Sequence, residues 1–253
     1  MFIPELRVFP LPVANNVRLI CNYLSPEKAA NKSRPFAEKT YSLYPELVGK
    51  LDMVSDEERV SIIKAAVEKH LAENSENIEK RIDYIKNRFD SFIPGFLNSI
   101  LQLYNCEWPS DRPYIDCYVG YIPFYPRSAE NKWFYVSYHD EERVFAGAVH
   151  EINHMMMYEK WKEMNGLDEL REPSYPSPMW HLMEIVVDPT LNDESVRKYT
   201  LYENKAYDQF YTKMIGEKSV MEHIGDMYDR KTCIEDFLTE AYAFVESHIG
   251  EIA

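Results

Sequence analysis

Ala148–Met157 reads AVHEINHMMM, two histidines four positions apart with a glutamate directly after the first. Around it, EERVFAGAVHEINHMMMYEKWKEM, from Glu141 to Met164, has acidic residues at its start and no proline along its length. This predicts a helix with the quoted stretch in its middle. On a helix, residues four apart are separated by about 40° around the axis and one turn along it, so His150 and His154 can direct their imidazoles at one ion. Glu151 sits about 100° further round, beside such an ion, where a carboxylate can take a proton from water. The surrounding Ala148, Val149, Ile152, Asn153, Met155 and Met156 are uncharged, so the histidines face an apolar interior in which unpartnered imidazoles are costly. Met155 to Met157 are expected to pack beneath this helix.

Catalytic zinc centres usually have three protein ligands and one open position, so a third ligand must come from elsewhere. Glu159 lies five residues after His154 and turns about 140° away. Lys160 and Met157 stand where the longer H-E-x-x-H-x-x-G-x-x-H pattern needs a histidine and a glycine. A better candidate lies in MWHLMEIVVD, Met179–Asp188, where Ser177-Pro178 supplies an N-cap and first-turn proline for a short helix that Pro189 ends. Glu184 and Asp188 are charged residues four apart in this apolar run. Glu184 can bind the metal while Asp188 accepts the outer N–H of a ligating histidine and fixes its tautomer. His181, three residues before Glu184 on the same face, is the alternative ligand, although a lone histidine near a helix start is more often a packing or pocket residue.

The rest of the chain frames this constellation. Its 253 residues, 45% hydrophobic and 14% aromatic, can fill a substantial core. A formal net charge of -14 argues against nucleic-acid binding, which is built on Lys and Arg contacts to phosphate. MFIPELRVFPLPVANN carries Pro4, Pro10, Pro12 and Glu5 where an export signal needs a basic lead and an unbroken apolar run. No stretch approaches the roughly 18 apolar residues of a membrane span, and the expected location is the cytoplasm. Cys21, Cys106, Cys117 and Cys233 form no CxxC pair and read as buried free thiols.

Ser55–Glu58 reads SDEE, a capping box opening a helix that carries Val60, Ile63, Val67 and Leu71. A second helix after Ser75 places Ile78, Ile82, Ile85 and Phe89 on one face, with a bend or restart at Pro94-Gly95. NCEWPSDRP, Asn105–Pro113, marks a boundary near residue 110. Beyond it PYIDCYVGYI and KWFYVSYH read as two strands joined by the loop FYPRSAEN. A loop follows from Asn165 to Ser177, and TCIEDFLTEAYAFVESHIG forms a C-terminal helix from a capping box at Thr232 to Gly250. The expected organisation is α+β and predominantly helical. Residues 1–110 form a mostly helical N-terminal region, and 111–253 hold a small mixed sheet, the histidine helix and a helical C-terminal part.

HEINH followed by EIVVD resembles the gluzincin zinc metallopeptidases, the thermolysin-like class with H-E-x-x-H on one helix and E-x-x-x-D on a later one. The resemblance covers about residues 113 to 190. It implies a zincin-like catalytic core in 111–253, Zn2+ bound by His150, His154 and Glu184, water activated by Glu151, and Asp188 supporting a ligating histidine. It also implies an edge strand before the active-site helix, matching KWFYVSYH, on which a peptide or protein substrate can lie. Family members use a downstream histidine or tyrosine to stabilise the oxyanion; His223, Tyr211 and Tyr228 are available, and no spacing selects among them. The implied activity is peptide-bond hydrolysis. The rival readings are a non-catalytic metal-binding or helical interaction protein and a zinc hydrolase acting on a non-peptide amide.

Overall fold

The computed structural model of the protein describes residues 2–25, 34–139, 143–167, 170–200 and 203–253. Three strands run parallel, β1 (Glu5–Pro10), β2 (Tyr114–Gly120) and β4 (Trp133–Ser137), and the short β3 (Arg127–Ser128) returns antiparallel on β4, giving the order β1-β2-β4-β3. Period-two alternation sorts their side chains. Ile115, Cys117 and Val119 of β2 and Phe134 and Val136 of β4 enter the main core, while Tyr118, Trp133 and Tyr135 face the other way with Leu11 and Phe124. β1 was not legible among the N-terminal prolines. Pro10 is tolerated because β1 is an edge strand, and Arg7 pairs with its register partner Asp116 at 2.7 Å.

KWFYVSYH therefore forms β4, an interior strand rather than the edge. The edge beside it is β3, inside the segment FYPRSAEN that reads as loop. The fold is α+β, predominantly helical, with a small mixed sheet.

Helices α1 (Val13–Tyr23), α2 (Arg34–Leu43) and α3 (Asp56–Glu73) precede the long α4 (Ser75–Leu103). Ser55 caps α3 by accepting from the Glu58 N–H at 3.2 Å. Ile63 and Val67 are buried as expected, whereas Val60 is exposed and Arg59 and Ala66 complete the inner face. α4 continues through Pro94 without a restart. Proline there removes one bond, to the Asp90 carbonyl four residues back, on an exposed side that water can serve, while buried Ile93, Phe96 and Leu97 hold both halves in the core. Gly95 admits the ring of Tyr199, from α8 (Glu194–Thr200), against the helix; a Cβ there would lie 2.4 Å from a ring carbon.

The main core joins Ile85, Phe89, Phe96 and Trp108 to Val149, Ile152 and Met156 of α5 (Arg143–Met164), so it crosses residue 110. A second cluster holds Val17, Ile20, Leu47, Ile63 and Val67 together with Tyr121 from beyond that position. Glu141 and Glu142, read as the start of the histidine helix, lie outside the described residues. α5 is buried on most of its circumference, and Met155, Met156 and Met157 are fully inside.

α6 (Pro178–Ile185) and α7 (Val187–Leu191) follow, then α9 (Asp208–Thr212), the hairpin β5 (Met214–Ile215) and β6 (Lys218–Ser219), α10 (Val220–Asp229), α11 (Ile234–Ser247) and α12 (Ile249–Ile252). The cap of α11 is Cys233 rather than Thr232, whose hydroxyl donates to Asp236 instead; the helix ends at Ser247, before Gly250. Phe237, Leu238 and Ala241 of α11 share the core with Leu182, Met183 and Ile185, fixing α6 from its far side. The four cysteines are unpaired; Cys106 and Cys117 are buried, but Cys233 is exposed. Among the described residues no helix is long and apolar enough to cross a membrane.

Candidate metal centre

One turn of α5 brings the two imidazoles together, with His150 Nε2 and His154 Nε2 2.8 Å apart and the rings nearly perpendicular. α6 carries the third group. Ser177 accepts from the Trp180 N–H at 3.2 Å, Pro178 occupies the first turn, and the buried face of α6 delivers Glu184 Oε2 to 3.3 Å from His150 Nε2 and 3.6 Å from His154 Nε2. Tetrahedral zinc with bonds of about 2.0–2.1 Å holds its ligands roughly 3.3 Å apart, and the three observed edges bracket that spacing. Glu184 Oε2 and His154 Nδ1 are buried and have no hydrogen-bond partner among the described residues. An orphaned buried polar atom costs about 1–3 kcal/mol, so an oxygen aimed at two imidazole nitrogens fits a cation between them.

Charge gives a second test. Glu151, Glu172 and Glu184 converge on one guanidinium, that of Arg127 on β3, at 3.3, 3.4 and 3.6 Å. Three carboxylates against one arginine leave two negative charges uncompensated in a largely buried setting, which a divalent cation balances. Without an ion the groups divide the charge themselves. Burial would raise the Glu184 carboxyl, but His154 and His150 hold it well below its ordinary value. Burial opposes charging of His150, yet the Glu184 carboxylate 3.3 Å away and the charge of Glu151 outweigh it and lift its pKa. Burial, with the Arg127 charge beside it, lowers His154 to about 3. Burial lifts the Glu151 carboxyl above the usual range by more than Arg127 and His150 pull it down.

His150 and Glu151 form part of the floor of a cleft of about 980 Å³. Gly147, one turn before Glu151, lets Tyr125 lie flat on α5, where an added Cβ would meet ring carbons at 2.2 and 2.3 Å. The close approach brings the chain between β2 and β3, and hence Arg127, down to the histidine helix. The opposite wall is the stretch 203–207, which has no regular secondary structure. Tyr207 on this wall packs near Trp180; although about half exposed, it stands among packed groups, and that burial followed by the charges of Glu184 and Glu151 raises its hydroxyl pKa. A more apolar groove of about 610 Å³ between α1 and α3, lined by Val13, Val17 and Val60, holds none of these groups.

Several expected residues stand elsewhere. Asp188 does not support a histidine: its Oδ2 accepts from Tyr211 and its Oδ1 from Asn192 Nδ2 at 3.0 Å. Pro189 has no N–H for the Ile185 carbonyl, so the helix is interrupted at Val186 and α7 starts at Val187, while the Asp188 carboxylate is taken up by Tyr211 and Asn192. Asp188 anchors the cleft wall instead, since Asn192 brackets the Asn204 backbone at 2.7 and 2.9 Å and Tyr211 accepts from the Ala206 N–H at 3.0 Å. Tyr228 donates to Asp193 at 2.8 Å, and His223 Nε2 meets the Ile215 carbonyl at 2.9 Å, so His223, Tyr211 and Tyr228 are all engaged away from the three converging ligands. His181 Nδ1 meets the Ser177 carbonyl at 3.0 Å and its ring packs among Tyr175, Trp180 and Phe210. The loop 165–177 does not line the cleft in its described part; it sends Glu172 to Arg127 and to the Ala129 N–H at 2.9 Å. Arg127, Glu172 and Tyr207 gave no signal in the sequence, because each lies in a polar connecting segment.

Comparison with protein-family models, curated proteins and solved structures finds no match for this chain.

Proposed function

We propose that the protein is a zinc-dependent metallopeptidase of gluzincin type, built on a zincin-like core. The observation that carries this reading is the convergence of His150 Nε2, His154 Nε2 and Glu184 Oε2 with Glu151 beside them, His150 and Glu151 lining an open cleft. Those three side chains would hold Zn2+, and Glu151 remains as a base. When bound, zinc supplies Lewis acidity, polarising a carbonyl oxygen and lowering the pKa of water to about 7.

The chain's own residues do the rest. Glu151 accepts the proton of the attacking water and returns it to the leaving amine. Arg127 offsets one of the three carboxylate charges around it, and a divalent cation would balance the other two. Tyr207 offers a phenol on the facing wall and takes the donor role read for His223, Tyr211 or Tyr228. The outer side of β3 is a sheet edge to which an extended peptide can add main-chain hydrogen bonds.

Cleavage of a mixed peptide library by the zinc-loaded protein, analysed by mass spectrometry, tests the reading. Glu151→Gln is expected to retain zinc while losing roughly 10²–10⁴-fold in rate. Zinc-loaded wild type that cleaves no library peptide would overturn the peptidase reading in favour of a silent metal centre, or of an amide hydrolase if a non-peptide amide is turned over.

A further inference from the structure

Two glutamates compete for the third position of the centre. Glu184 Oε2 lies 3.3 and 3.6 Å from the imidazole nitrogens, but Glu151 also has a ligand atom within 4.8 Å of those of His150 and His154. Distance alone does not reserve the ion for Glu184. We infer that Arg127 makes the choice, as a positioning residue that sorts one glutamate to the metal and keeps the other as base; the inference rests on the zinc reading above.

The geometry that carries it is the division of atoms around the guanidinium. Arg127 Nη2 faces Glu184 Oε1 at 3.6 Å, which turns the other oxygen, Oε2, toward the two histidines. Arg127 Nη1 bonds Glu151 Oε2 at 3.3 Å, so Glu151 can swing onto the ion only by leaving a buried charge pair. A guanidinium is planar and presents its donors in a fixed fork, so one side chain sets the spacing of both carboxylates at once; a lysine ammonium, a single point charge, cannot. The fork itself is held. Arg127 belongs to β3, in register with Phe134 of β4, and Glu172 lies 3.4 Å from Nε while accepting from the Ala129 N–H at 2.9 Å. Glu172 thus fixes the arginine to its own strand. Breaking such buried pairs from one side is costly, which keeps the sorting in place when an ion enters.

Zinc titration of the metal-free protein against a competing chelator tests this without any turnover. In the wild type, Glu151→Gln is expected to change the zinc Kd by less than about 3-fold, because Glu151 is not a ligand, and Arg127→Met to weaken zinc by roughly 10–100-fold. In the Arg127→Met background Glu151 becomes free to coordinate, so Glu151→Gln then costs a further factor of about ten or more, a coupling that a purely structural role does not produce. Arg127→Lys, which keeps the charge but loses the fork, restores part of the affinity and only part of the sorting. Should Arg127→Met fail to fold, Arg127→Lys and Glu172→Gln carry the same comparison with Glu151→Gln. Equal effects of Glu151→Gln in both backgrounds would overturn the inference while leaving the centre standing. Wild type that takes up no zinc would overturn the centre, and the inference with it.

Discussion

Replacing Gly147 with alanine sets two effects of opposite sign against each other. In an exposed mid-helix position the change stabilises by about 0.8–1.0 kcal/mol, because glycine is a poor helix former. At 147 the new Cβ would stand 2.2 Å from Tyr125 Cδ2 and 2.3 Å from Cε2, against ordinary contact from 3.4 Å, so the ring must retreat. A displacement of about 1 Å in a packed region costs roughly 1–3 kcal/mol, which exceeds the helix gain. The expected net is about 0–2 kcal/mol of destabilisation. Gly225, inside α10, is the internal control: nothing lies within 4 Å of an added Cβ, and Gly225→Ala should stabilise by roughly 0.4–1 kcal/mol. Urea unfolding of both variants in chelator, with m unchanged, measures the difference. Tyr125 lies two residues before Arg127, so Gly147→Ala should also weaken zinc binding, whereas Gly225→Ala should not. Equal stabilisation by both substitutions, with zinc affinity intact, would refute the close approach of Tyr125 to α5 and the placement of Arg127 that follows from it.

Three further outcomes are expected. Asn153→Leu removes the oxygen that accepts from the fully buried Tyr104 hydroxyl at 3.1 Å and from Thr190 Oγ1 at 3.0 Å and should destabilise by about 1–3 kcal/mol in urea unfolding, part of which Tyr104→Phe then recovers. Tyr207→Phe should lower kcat for peptide cleavage by roughly tenfold or more with the zinc Kd unchanged, while His223→Gln and Tyr228→Phe stay within about threefold. Burial would raise Glu235, but hydrogen bonds, first from Lys160, hold it down at about 2. Its folded pKa is depressed, so its stabilisation is present above the ordinary 4.5 and lost as pH falls toward 2; the stability gap between wild type and Glu235→Gln should close from pH 5 to pH 2 in urea unfolding.

The residues that converge at the candidate site were legible where their signals are local. HEINH needs only the helical period to bring two imidazoles together, and Glu184 stands out as a charge in an apolar run behind a Ser-Pro helix start. Asp188 reads differently because Tyr211 and Asn192, from later segments, take its carboxylate, partners that a face-counting argument on one helix does not carry. Arg127 was invisible for a different reason. It lies in FYPRSAEN, whose composition reads as loop, and its importance comes from Glu151, Glu172 and Glu184, which converge on it only in three dimensions. β1 was masked by its flanking prolines, and the continuous α4 by Pro94-Gly95, where packing of Phe96 and Tyr199 outweighs one lost hydrogen bond.

The central claim is that His150, His154 and Glu184 hold one metal ion. Zinc content per chain, measured by elemental analysis after dialysis for wild type and for His150→Ala, His154→Ala and Glu184→Ala, tests it most directly. One equivalent in the wild type and a loss in each variant is the predicted result. One equivalent retained in all three variants would contradict it.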